Sequence, residues 1–313
     1  MAEAQPVVFV GGLGRSGTTL LERLLGELPG VVPLGEVVHL WARGVQADEP
    51  CGCGQPFSQC PFWSKVGIRA FGRWRESQAG WLPRLRTRVD RTRRIPALAL
   101  GLAGRDAELA EYVRSYSRIY AAAAEIADCR VVVDSSKHAS LAYCLAAIMD
   151  LRVVHVVRDP RAVASSWRRR VRRPEDGRPM TRWTPVRTAV HWVAQNLAFQ
   201  ALRRKGVEVV RVRYEDLVDD PAVVIGGLAA RLGLSDPLAP PGAALSFLDG
   251  GRARLGVAHT VSGNPMRFAV GGVDLRRRRA PLPFAQRWLV TAITLPLLRS
   301  YGYRLRYRAE AAR

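Results

Sequence analysis

The sequence predicts an α/β protein: a central, mostly parallel sheet with helices on both faces, three layers in all. Short apolar β-branched runs, PVVFV at 6–10, VVV at 131–133 and RVVHVV at 152–157, alternate with stretches of helical periodicity. Each run ends in a polar turn: Gly11 to Thr19, Asp134 to Lys137, and Arg158 to Ser166. In a parallel sheet such turns gather beyond the C-terminal strand ends, the edge where α/β proteins place their ligands.

The elements follow in order. Residues 6–10 read as a buried first strand. TTLLERLLGEL, from Thr18, puts Leu20, Leu21, Leu24, Leu25 and Leu28 on a broad apolar face, and Pro29 and Gly30 end it. VVPL then delivers Gly35 and Glu36 to the sheet edge. Residues 51–64 read as an irregular loop. The stretch 67–118 is Arg-rich, helical in parts, interrupted by Pro83 and Pro96, and has no nucleotide-type motif; it reads as a helical insertion or lid. One helix is expected over 105–126. A strand at 130–133, the turn DSSK, a helix over 139–149 and a strand at 152–157 come next. A polar loop spans 171–183, a long helix 184–204, and a strand 207–212 leads into RYEDLVDDP and a further helix. The whole chain, 1–313, reads as one domain.

The formal charge is +21, and it is almost wholly Arg: the lysines are Lys65, Lys137 and Lys205. Such a surface attracts polyanions, including phosphates and anionic membrane surfaces, although Ala-, Arg- and Gly-rich coding bias gives the same composition. Nucleic acid is disfavoured, because the basic segments 67–118 and 276–279 lack interleaved aromatics for base stacking. The start, MAEAQPVVFVGG, carries no basic leader, and no apolar stretch reaches the ~18 residues of a membrane span. The expectation is a cytoplasmic protein, with the apolar run Trp288 to Leu298 either a buried helix or a segment lying at a membrane surface. Cys51, Cys53 and Cys60 cluster in CGCGQPFSQC. They allow zinc with a fourth ligand from elsewhere, a disulfide, or free thiols.

GLGRSGTT nearly fits the Walker pattern. Gly12, Gly17 and Thr19 keep their places, but Thr18 stands where the lysine belongs, and the cation has moved into the loop as Arg15. A strand–loop–helix of this kind aims backbone N–H groups at an anion. A P-loop-type phosphate site therefore survives without the lysine that reaches an ATP γ-phosphate.

RSGTT after the first strand resembles the 5'-phosphosulfate loop of sulfotransferases that use 3'-phosphoadenosine 5'-phosphosulfate (PAPS). The pattern is nearest the bacterial and tyrosylprotein group, which carries Arg in the loop. The resemblance implies that Ser16, Gly17, Thr18 and Thr19 hold the 5'-phosphate and that Arg15 stabilises charge on the sulfuryl group and its leaving oxygen. RDPRAVASSW matches the family's 3'-phosphate motif through Arg158 and, eight residues on, Ser166. Tyr214 in VRYEDLV and Arg267 in HTVSGNPMRF resemble later elements near the nucleotide. Glu36 is the expected general base, with His39 in reserve. Lys137, the lysine at a strand end, resembles the family residue that contacts the sulfuryl group.

The implied reaction moves the sulfuryl group of PAPS to an acceptor hydroxyl on a small molecule, glycan or lipid, and releases 3',5'-adenosine bisphosphate. No metal is required at the transferring group, since it carries less charge than a phosphoryl group and fixed cations suffice. The resemblance is weakest over 67–118 and 168–183, the stretches expected to read the acceptor.

Overall fold

The computed structural model describes residues 6–74, 76–102, 106–172, 177, 179–234, 243–276 and 280–305. The central sheet contains β1 (Val7–Gly11), β2 (Val31–Pro33), β3 (Val131–Lys137), β4 (Arg152–Val157) and β5 (Val209–Arg213), in the order β2-β3-β1-β4-β5. Every pairing is parallel, so the α/β expectation holds. β1 lies in the middle, with Gly11 in register with Lys137 on one side and His155 on the other. The loop leaving β1 therefore opens between its two neighbours, at the switch point of the sheet.

Alternation along β1 builds the two sides. Val7 and Phe9 enter one core cluster, and Val8 and Val10 enter the other with Val131, Val133, Val154 and Val156. Successive strand side chains point to opposite faces, so a run buried throughout requires a helical layer on each. One layer contains α1 (Thr18–Leu25), α9 (Tyr214–Asp219) and α10 (Pro221–Arg231). The opposite layer contains α2 (Pro61–Phe71), α3 (Glu76–Val89), α4 (Ile95–Ala99), α5 (Ala107–Ala127) and α6 (Ala139–Ala146). Beside them α7 (Pro160–Arg168), α8 (Pro185–Arg204) and α11 (Phe284–Ser300) pack together.

The described part of 67–118 packs on the core: Ala79, Leu82, Leu85, Val89, Leu98, Leu109 and Tyr116 are buried in the same cluster as Phe9. Two expectations need correction. α3 runs through Pro83 without interruption, because Ala79, Leu82, Leu85 and Val89 hold its inner face where the proline removes a hydrogen bond. DSSK is strand rather than turn. Asp134 accepts from Tyr120 Oη at 2.6 Å and from the Ser136 backbone at 2.7 Å, and the chain turns only at Lys137, whose φ is 61°.

A second, antiparallel sheet of β6 (Leu248–Asp249), β7 (Arg252–Leu255) and β8 (Gly271–Asp274) was not legible in the sequence. In α11, Val290, Thr291, Thr294 and Leu298 are buried, while Phe284, Trp288 and Leu289 are exposed. No helix among the described residues is long and apolar enough to cross a membrane.

Candidate active site

A cavity of about 990 Å³ opens at the C-terminal edge of the parallel sheet. The loop after β1 forms its floor. Gly17, with φ 103°, precedes the first residue of α1, and a side chain there would run into the Tyr214 ring. Only glycine meets both conditions. Ser16, Thr18 and Thr19 are buried, and Gly12, Gly17, Thr18 and Thr19 line the cavity. Arg15 is itself left-handed at φ 76°, which lifts its side chain off the floor. Its Nη2 donates to Met180 Sδ at 3.4 Å, and the guanidinium stands 5.4 Å from the centre of the Trp167 ring. Burial lowers Arg15 from its ordinary value; Glu36 pulls it back up and Arg169 pushes it down further. Arginine remains charged through such shifts.

Glu36 enters from the turn after β2 and is buried. Lys137 Nζ donates to its Oε1 at 2.5 Å, and His39 Nε2 lies 3.6 Å from Oε2. Burial pushes the Glu36 carboxyl up, but the Lys137 ammonium, by its charge and its hydrogen bond, is the chief group that holds it below the usual carboxylate range. His39 is driven the other way, mainly by burial, to about 3, and is neutral near pH 7. Glu36, Lys137, His39 and Arg15 all line the one cavity. A carboxylate, a neutral imidazole and two cations thus face the anion loop, a set that can take a proton and stabilise a developing negative charge.

Glu22 and Arg23 of α1 escaped the sequence reading. Between leucines they look like the solvent face of the helix, yet each is about 1% exposed. Glu22 Oε1 accepts from Gly35 N–H at 2.5 Å and Oε2 from Ser135 Oγ at 2.6 Å, so it ties the turn before Glu36 to β3. Burial pushes Glu22 up to about 8, against those two hydrogen bonds. Arg23 donates to the carbonyls of Arg267, Gly256 and Ala269, at 2.5 to 3.0 Å, and holds the late loop over α1. Their partners lie 13 to 246 residues away, so no local pattern could reveal them.

The remaining sequence candidates divide. Ser166 and Tyr214 line the cavity. Arg158 lies behind Tyr214, its guanidinium 3.8 Å from the ring centre and its Nη1 donating to the Arg15 carbonyl at 3.5 Å. Its Nε is buried without a hydrogen-bond partner among the described residues. Neither Arg158 nor Arg267 lines the cavity; Arg267 is fully buried, and its Nη1 donates to the Thr260 carbonyl at 3.1 Å. That loop reaches the cavity through Gly263, Asn264 and Met266. Of the loop 168–183, residues 173–176 and 178 lie outside the described residues. Its described part supplies Arg169, Val171, Met180 and Trp183, the last stacked on Trp167 at 4.1 Å.

Fold and cavity together define an α/β protein with a glycine-containing loop at the switch point of its parallel sheet. The chain belongs to the sulfotransferase family, whose profile matches residues 6–237. Similar solved structures include sulfotransferase STF1 from Mycobacterium tuberculosis H37Rv, at 19% identity and TM-score 0.44, covering 74% of this chain and 68% of that one. Sulfotransferase STF9 from Mycobacterium avium aligns at 13% identity and TM-score 0.42, covering 98% and 79%. No curated protein matches the chain.

Proposed function

We propose that the protein transfers the sulfuryl group of PAPS to an acceptor hydroxyl. The observation that carries this reading is the meeting of Glu36, Lys137 and Arg15 over the loop Gly12–Thr19, within one cavity. The residues fit the donor. The floor offers backbone N–H groups at a helix start and the hydroxyls of Thr18 and Thr19, with Ser16 buried just behind the lining. The buried Arg158 Nε is a donor that a dianion would satisfy, and Ser166 lines the cavity in front of it, beside Tyr214.

Bound PAPS supplies an activated sulfuryl group on a phosphate leaving oxygen. In this account Glu36 takes the proton of the acceptor hydroxyl as its oxygen bonds to sulfur and the bond from sulfur to the phosphate oxygen breaks. Arg15 and Lys137 face the oxygens that gain charge. Lys137 has a second effect. While paired with Glu36 it holds the carboxyl low; when the ammonium turns toward the sulfuryl oxygens, the burial that raises Glu36 is offset less and the carboxylate becomes a stronger base. The tryptophan pair and Met180 form the wall nearest Arg15 and suit an acceptor that presents an apolar or ring face to it.

Arg158 tests the donor assignment. Each hydrogen bond to a charged group contributes roughly 1.5–3 kcal/mol, so 3',5'-adenosine bisphosphate should bind on the order of a hundred-fold or more tighter than 5'-AMP. Titration calorimetry on Arg158→Ala should show that preference collapse, chiefly through loss of bisphosphate affinity. Equal losses for both nucleotides would mean that Arg158 only supports the loop through the Arg15 carbonyl.

A further inference from the structure

The cysteine-rich turn of CGCGQPFSQC meets the late loop at a point outside the cavity. Cys51 and Cys60 are buried, Cys53 and His259 half-buried, and their ligand atoms all lie within 4.8 Å of one another. Cys60 Sγ is 3.6 Å from Cys51 Sγ, 3.8 Å from Cys53 Sγ and 3.3 Å from His259 Nδ1; Cys51 Sγ is 3.9 Å from the same nitrogen. A tetrahedral zinc ion, with Zn–S about 2.3 Å and Zn–N about 2.0–2.1 Å, spaces its sulfurs about 3.8 Å apart and sulfur from nitrogen about 3.6 Å. Four of the six separations lie within a few tenths of an ångström of that spacing, and all lie within 4.8 Å. All the cysteines are free thiols, and soft thiolates joined by one imidazole select zinc over the hard cations.

We propose that Cys51, Cys53, Cys60 and His259 bind a structural zinc ion that fastens the late loop to the edge carrying Glu36. Four protein ligands leave no open position, so this ion takes no part in the chemistry. The surroundings fix the imidazole. Phe62 stacks on the His259 ring at 5.2 Å and 17°, and Trp63 Nε1 donates to the His259 carbonyl at 2.8 Å. From His259 the chain runs directly to the site. Gly52 N–H donates to the Thr260 carbonyl at 2.9 Å, Val261 N–H to Leu34 at 2.8 Å, and Glu36 N–H to Val261 at 2.8 Å. Gly35, at φ 84°, allows the Val261 backbone to come so close that any side chain there would strike it. The metal clip therefore sets the position of Val261, and Val261 sets the backbone of the base.

Elemental analysis of the purified full chain tests this without nucleotide or acceptor, and so stands apart from the sulfotransferase reading. One zinc per chain is expected, retained in Cys129→Ser, lost in His259→Ala and restored in His259→Cys, which again offers four ligands. Should His259→Ala fail to fold, metal-free wild-type chain titrated with cobalt gives the decision. Thiolate charge-transfer and tetrahedral d–d bands should grow to saturation at one equivalent, and the thermal midpoint should rise with metal, because binding energy here is folding energy. Cobalt binding without thiolate bands, full zinc retention in His259→Ala, or a disulfide among the three cysteines would overturn the proposal.

Discussion

Glu36→Gln is expected to lower kcat by about two to four orders of magnitude, the range for loss of a positioned general base, while leaving the affinity for 3',5'-adenosine bisphosphate unchanged. The amide keeps the size of the carboxyl and can still accept from Lys137, so the Lys137 side chain and the floor of the cavity stay in place. What disappears is the proton acceptor. The pH profile separates this from a loss of shape. Activity requires ionised Glu36, and its folded pKa lies below the usual carboxylate range, so kcat/KM of the wild type should hold as pH falls and drop only below that range. In the variant that acid limb should vanish. A wild-type rate in Glu36→Gln would remove Glu36 as base and turn attention to His39, which is neutral near pH 7 and 3.6 Å away.

Arg15→Ala should cost about two to three orders of magnitude in kcat, comparable to removing one preorganised donor to a developing charge. The substitution is clean in the backbone. Arg15 is at φ 76°, and alanine bears the same left-handed cost as any residue with a Cβ, so the loop strain is unchanged. Its contacts in the folded protein, to Met180 and the Trp167 ring, are weak, so the thermal midpoint should move little. Loss of stability in place of rate would contradict the assignment. Glycine would be a poor control, because it relaxes the turn as well as removing the charge.

The sheet was legible because its strands announce themselves. VVFV and RVVHVV are buried on both faces, and continuous β-branched runs bounded by turns suit little else. The candidate site was legible where it sits on those strand ends: Arg15 and Glu36 each follow a strand, Lys137 ends one, and parallel topology brings strand ends to one edge. What could not be read depends on distant partners. Arg158 and Arg267 look alike as cations in motif-like loops, yet one lies against the Tyr214 ring and the other is sealed against Thr260. His259 lies 199 residues beyond Cys60, so the cysteine turn showed three ligands and hid the fourth. The 67–118 stretch, Arg-rich and without a nucleotide-type motif, did not disclose that its apolar residues pack beside Phe9; long Arg side chains reach solvent while the apolar faces of their helices are buried.

The most direct test of the central claim needs no acceptor. A native-state ligand raises the thermal midpoint in proportion to its affinity and concentration. The chain should be compared with 3',5'-adenosine bisphosphate, with 5'-AMP and with Mg-ATP at equal concentration. A sulfotransferase that uses PAPS should show a clear rise with the bisphosphate and little with the other two. A rise with Mg-ATP alone would contradict it and make the loop that of a kinase-like enzyme; no rise with any would leave the loop without a nucleotide to hold.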